Sequence, residues 1–292
     1  VTLGDPATRS PFGSTPSQLV RLVDSNRDGI SDSQQVLATV PGFVTSLRRC
    51  GNLIFALSSG RQTVSPTLTI LRTGATESAP LVEEAVLRFQ FPQAYLTAIN
   101  PHSSYALAVR NSATAANGVE LFFNLGPLEE NRSTDPTLTI GLSGSGDVEF
   151  APAQMAPDSI QRILITDQGD KLSIGAPLMV ASGVRNAAGI SFDRNGNLIF
   201  QDNGFSDPPN TELTLSSDEL NRINANELGR TIPDFGFSES YVRISDGVIV
   251  NRSASYREPL VSFLPLDGRK SEGAVEVSIA PSGFPSEFID TV

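Results

Sequence analysis

The run Asp24-Ser25-Asn26-Arg27-Asp28-Gly29-Ile30-Ser31-Asp32 puts side-chain oxygens at alternating positions and a glycine where the chain must turn sharply. Asp24, Asn26 and Asp28 offer carboxylate and amide oxygens, Ile30 its carbonyl and Asp32 a further carboxylate. That spacing wraps hard oxygen ligands around one calcium ion. Gln35 stands where a calcium sensor would carry a bidentate Glu, and no helical pattern flanks residues 24–35. The expectation is therefore calcium stapling a β-hairpin, with a plain Asp/Asn-rich turn as the competing reading. Two other groups could do chemistry. His102, the one histidine, lies in the turn Asn100-Pro101-His102-Ser103-Ser104-Tyr105; its side chain has the right intrinsic pKa to abstract a proton near neutrality, or it is an ordinary exposed turn residue. Arg185 and Asn186 form a pair suited to carboxylate recognition, since a guanidinium meets a carboxylate with two parallel hydrogen bonds. The alternative is that they only order the turn before the next strand.

These groups sit in a chain of 292 residues with 21 Lys+Arg against 32 Asp+Glu, a formal net charge of −11. Such a surface repels phosphates, which argues against a nucleic-acid partner and against anionic membrane surfaces. No apolar run approaches the roughly 20 residues of a membrane-spanning helix. One His and one Cys cannot build a zinc site, an iron–sulfur site or an internal disulfide, which leaves oxygen-ligated metals. The hydrophobic fraction of 39% against 18% charged residues marks a folded chain with a sizeable core.

The elements that must position these groups read as β from end to end. Short apolar runs recur at Leu19 to Val23, Leu53 to Leu57, Leu68 to Leu71, Tyr105 to Val109, Leu121 to Phe123, Ile163 to Ile165, Leu198 to Phe200 and Val248 to Val250. Each is bounded by Gly, Pro, Asn, Asp or Ser. One short helical turn is expected within Ser216 to Leu228, with Ser217 as its N-cap. The pentapeptide Gly51-Asn52-Leu53-Ile54-Phe55 returns verbatim as Gly196-Asn197-Leu198-Ile199-Phe200. That offset is three units of about 48 residues, the period of propeller blades. The expected fold is all-β: one domain over residues 1–292, a six-bladed β-propeller. At that period the chain accommodates about six blades.

From Ser182 the text becomes specific. "SGVRNAAGISFDRNGNLIFQDNG" (182–204) is followed by "SDELNRI" (217–223) and then by "VEVSIAPSGFP" (275–285). This order resembles the glucose/sorbosone dehydrogenase family, six-bladed propellers that oxidise sugars with pyrroloquinoline quinone (PQQ) and calcium. The resemblance implies that Arg185 and Asn186 contact the quinone, and that Asp218, Glu219 and Asn221 fix a loop. The family's general base opens an early hairpin, and His102 is displaced from that place by about a strand. The family's further cationic cofactor contacts follow the Ala-Pro-Ser-Gly element, which here lies within about ten residues of Val292, so the resemblance implies either that the chain continues past Val292 or that the last blade is incomplete.

Three functions stay open on this reading. The first is a catalytically degenerate propeller, stabilised by calcium and binding a carbohydrate or an extracellular protein. The second is a PQQ-dependent sugar dehydrogenase, an oxidoreductase with a base recruited from His102 or from an acid such as Asp202. The third is a self-associating structural subunit. The expected location is secreted, periplasmic or extracellular.

Overall fold

In a computed structural model the described residues are 2–3, 16–59, 66–94, 106–129, 131–135, 137–146, 148–207, 210–265 and 277–279. Every element bounded within them is a β-strand. The strands form successive, mainly antiparallel sheets, none of which closes on itself. The first sheet joins Thr2–Leu3, Ser17–Val23 and Ser33–Val40. The second is a meander of Phe43–Cys50, Leu53–Ser59, Thr67–Arg72 and Val82–Gln90, widened at its outer edge by Ile140–Gly146 and Ala153–Met155. The third runs Leu107–Asn111, Gly118–Leu125, Ser159–Asp167 and Leu172–Ile174. The fourth runs Ala187–Phe192, Leu198–Asp202, Asp218–Ile223 and Val261–Phe263.

The first strands of the last three sheets lie side by side. Leu107 N–H donates to Ser46 Oγ at 3.2 Å, the Cys50 thiol donates to Asn111 Oδ1 at 3.2 Å, and the Arg110 guanidinium sits 4.5 Å over the Phe192 ring. Because Ser46 meets Leu107 and Cys50 meets Asn111, these strands point the same way. Their sheets pack face to face, and this explains the near-continuous apolar runs, since strands covered on both faces lose the polar half of the alternation. Gly118–Leu125 is buried throughout. Leu121 and Phe123 enter the core shared with the second sheet, and Phe122 enters the core shared with the fourth. Edge-on ring contacts, Phe89 with Phe123 at 5.4 Å and Phe122 with Phe192 at 5.0 Å, fix the two interfaces.

Two expectations change here. The first strands begin at Phe43, Leu107 and Ala187, a spacing wider than 48 residues. The interval from Leu107 to Ala187 is long because the segment between Leu125 and Ser159 leaves its own sheet to pair with the second. The described residues form four sheets of three or more strands and two two-stranded ones. The helical turn expected within Ser216 to Leu228 does not start at Ser217: Asp218–Ile223 is a strand, because Leu198–Asp202 needs a partner on its far side and Val261–Phe263 then pairs beyond it. The turn comes after that strand, where Leu228 N–H donates to the Asn224 carbonyl at 3.3 Å. The verbatim repeat is structural: both copies start the second strand of a sheet, and Gly51 (φ 59°) and Gly196 (φ 79°) make the preceding turns in the left-handed region.

Candidate functional site

The strand Leu198–Asp202 ends with its carboxylate under the chain that enters Ala187–Phe192. Asp202 Oδ2 accepts the Arg185 N–H at 2.9 Å and Oδ1 accepts the Asn186 N–H at 2.5 Å. One side chain therefore ties down the backbone of both members of the Arg-Asn pair. The Arg185 guanidinium is buried, and its Nη1 donates to the carbonyl oxygens of Asn203 (3.1 Å) and Gly204 (2.9 Å). Gly204 N–H donates in turn to Asp218 Oδ1 at 2.7 Å, and Phe205 N–H to Ser216 Oγ at 2.8 Å. The Asp-Gly turn region and the Asp-Glu-Leu-Asn strand thus lock together around Arg185. Glycine is required at 204, where a Cβ would lie 2.1 Å from the Ser216 carbonyl oxygen.

Four carboxyl groups belong to this region. Asp202, Asp218 and Asp158 are buried and Glu219 is largely so. Glu219 faces Asp202 across the strand pair. Burial pushes the Glu219 carboxyl up to about 8, with the neighbouring charges of Asp202 and Asp218 adding to it. Burial also raises Asp202 to about 6, against the pull of the Asn186 and Arg185 N–H groups and the Arg185 charge. Asp158 rises to about 6 by burial, although the Thr134 N–H (2.6 Å) and hydroxyl (2.8 Å) both donate to it. Chemically, Glu219, Asp202 and Asp158 are carboxyls that exchange protons close to neutrality.

The space among them is small. A cavity of about 20 Å³ is lined by Arg185, Asp202, Ser217, Glu219, Phe237 and Tyr241, among others. That holds a water molecule, whereas organic ligands occupy roughly 300 Å³ or more. Ser217 Oγ, on its lining, is buried and has no partner among the described residues, consistent with such a water. Among the described residues no three carboxylate, imidazole or thiol groups converge as metal ligands.

The predicted residues separate accordingly. Arg185, Asn186, Asp218, Glu219 and Asn221 come together. The Asp24–Asp32 loop belongs to the first sheet, far from them in the sheet order, and it closes on itself. Asp24 accepts the N–H groups of Asp28 (3.2 Å) and Gly29 (2.9 Å), Asp28 accepts that of Ile30 (2.8 Å), and Asn26 Nδ2 donates to Asp28 at 3.0 Å. Asp32 is turned to Ser25, whose hydroxyl (2.5 Å) and N–H (2.7 Å) both donate to it and hold the Asp32 carboxyl below its ordinary range. Ile30 is exposed. His102 and the Ala-Pro-Ser-Gly element lie outside the described residues. The participation of Asp158 had no sequence signal, because Thr134 reaches it from the loop after Gly118–Leu125 and its nearness to Asp202 arises only in the folded chain.

No protein-family model matches the chain, and no curated protein matches it. Among solved structures it is similar to an iodide structure of a Trichoderma reesei carbohydrate-active enzyme of family AA12. The identity is 12% and the TM-score 0.47, over 87% of this chain and 58% of that one. It is also similar to the holo form of the pyranose dehydrogenase PQQ domain from Coprinopsis cinerea, with 13% identity and a TM-score of 0.47 over 86% of this chain and 54% of that one. The chain thus spans less than two thirds of the length of either structure.

Proposed function

We propose that this chain is a propeller-type domain, of the six-bladed sugar-dehydrogenase kind, in which the cofactor face has become a structural core, and that it serves as a non-catalytic binding or assembly module. The observation that carries this reading is the commitment of Arg185: its guanidinium is buried and donates to the Asn203 and Gly204 carbonyls. PQQ is a planar tricarboxylate and needs free cationic donors in a slot of its own size. Around Arg185 there is room for about a water molecule, and the carboxyls that line it, Asp202 and Glu219, offer the cofactor no cationic donor. The residues present do not fit the cofactor. In this reading the Asp24–Asp32 loop takes calcium as a hairpin staple, through Asp24, Asn26, Asp28 and the Ile30 carbonyl once Asp32 leaves Ser25, and the protein acts outside the cytoplasm on a carbohydrate or protein partner.

One observation favours the enzyme instead. Asp202 and Glu219 are carboxyls that titrate near neutrality beside an Arg, as a general base would. Titrating the purified protein with PQQ in calcium, and following sugar-dependent dye reduction with a panel of aldoses, separates the two. The module reading expects no change in the quinone absorbance and no turnover. Sugar-dependent turnover that Arg185→Ala abolishes would overturn it.

A further inference from the structure

A second concavity lies at the opposite end of the molecule. Arg185 and Asn186 precede the start of Ala187–Phe192, whereas the parallel strands Phe43–Cys50 and Leu107–Asn111 finish at a cleft of about 510 Å³. Turns from three hairpins rim it, and its polar lining is Cys50, Asn52, Asn111, Asn117, Asp167 and Gln168. The volume falls inside the range of small-molecule sites.

The cleft is built, not merely left over. Asn117 (φ 54°) and Gly169 (φ 95°) hold left-handed turns, and the Asp167 N–H donates to the Asn117 carbonyl at 3.1 Å, fastening one turn to the next strand. The Cys50 thiol donates to Asn111 Oδ1 across the two sheets. The carboxylate of Asp167 is already satisfied. Arg72 grips it with Nη1 at 2.6 Å and Nη2 at 3.1 Å, and the Gly169 N–H adds a third donor at 2.9 Å. Arg72 in turn donates through Nε to Glu84 at 2.7 Å.

The chemistry of the lining selects its ligand. A cation finds no spare carboxylate, because Asp167 is held by Arg72. An anion meets one guanidinium outnumbered by two carboxylates. An apolar ligand finds only Leu53 and Val119, both in the floor and buried. What remains are side-chain carboxamides: Asn117 and Gln168 bring a donor and an acceptor each, Asn52 its oxygen while its side chain also bonds Asp167, and Asn111 its NH2 while its Oδ1 accepts the Cys50 thiol. That array pairs with adjacent hydroxyl groups. We infer that this cleft binds a neutral polyhydroxylated ligand, a mono- or disaccharide, independently of whatever happens at Arg185. With no aromatic platform for stacking, the affinity is weak, with a Kd on the order of 1 mM.

The chain's single cysteine reports the site directly, since Cys50 lines the cleft. The folded protein, labelled with nitrogen-15, is titrated with glucose, galactose, maltose and cellobiose, and for comparison with inorganic phosphate and triglycine amide. The rate at which an aromatic disulfide reagent modifies Cys50 is followed beside the side-chain amide resonances. At twice the Kd a third of the sites are empty, so a bound saccharide slows Cys50 modification about threefold, saturably. The carboxamide signals of Asn52, Asn111 or Gln168 should move with the same midpoint. Gln168→Ala, at an exposed position, should abolish the protection without changing the melting temperature, and Asn52→Ala should abolish it with a small loss of stability, because the Asn52 side chain also bonds Asp167. The proposal is overturned if no saccharide gives a saturable effect, if triglycine amide or phosphate protects in their place, or if both variants keep full protection. None of these outcomes depends on the quinone titration.

Discussion

Moving the folded chain from about pH 8 to about pH 5 should raise its melting temperature. The folded-state values of Asp202 (about 6) and Glu219 (about 8) lie above their ordinary 3.8 and 4.5. Across that window the native state holds more protons than the unfolded chain, so stability falls as pH rises and returns on acidification. For Asp202 the part of the displacement crossed by pH 5 is roughly one pH unit, or about 1.4 kcal/mol at ~1.4 kcal/mol per unit. Glu219 adds less than its own displacement implies, because part of it is the charge of Asp202, and the two titrate as a pair. About 3 to 5 kcal/mol covers both. With an unfolding entropy of roughly 2 cal/mol/K per residue, a chain of this length shifts by about 5 to 8 °C. Below about pH 4.5 the trend should reverse, as Glu227, held down to about 2 chiefly by Arg257, begins to lose its ion pair.

The assay is a series of thermal melts at constant ionic strength, on the parent chain and two variants. Glu219→Gln removes the buried charge and should raise the melting temperature at about pH 8 while flattening the upper half of the profile. Glu77→Gln removes the same unit of charge from a side chain that is 85% exposed, so it controls for the general relief of the −11 net charge. A profile that is flat or falls toward pH 5 would refute the reasoning, as would equal responses from the two variants.

Three further outcomes follow from the same structure. Arg185→Met leaves the Asn203 and Gly204 carbonyls without their donor and the buried carboxylates without their cation, so urea denaturation should register a loss of about 3 to 5 kcal/mol. Gly183→Ala should lower the melting temperature far more than Gly51→Ala: both positions have positive φ, but a Cβ at 183 would lie 2.2 Å from Asp234 Oδ1 and 2.5 Å from the Gly236 nitrogen, whereas at 51 it meets open space. Calcium should raise the melting temperature, and a chelator or Asp24→Ala should remove that gain; a midpoint indifferent to both would leave Asp24–Asp32 as a turn closed by its own hydrogen bonds.

The strands were legible because burial on two faces leaves its mark on composition. Leu53 to Leu57, Leu121 to Phe123 and Leu198 to Phe200 have almost no polar alternation, and a strand with that pattern must lie between two packed layers. Unit length was not legible, since nothing in the text between Leu125 and Ser159 says that Ile140–Gly146 will pair with the preceding sheet. The Asp-Glu-Leu-Asn run marks the limit more sharply. Taken locally, Ser217 followed by acidic residues is a good helix start. Its real conformation is decided by a free edge on Leu198–Asp202, a fact about another strand. The same pairing sets Glu219 opposite Asp202 and brings Asp218 onto Gly204, so that carboxylates hold the loop that Arg185 grips from the other side. The motif's residues could therefore be found by spacing, but not their employment. An Arg-Asn pair ahead of a strand is equally suited to a bound carboxylate or to the protein's own carbonyls and acids. What chooses between them is whether the space in front of the guanidinium is left open, and here Asn203, Gly204 and Ser217 take it up.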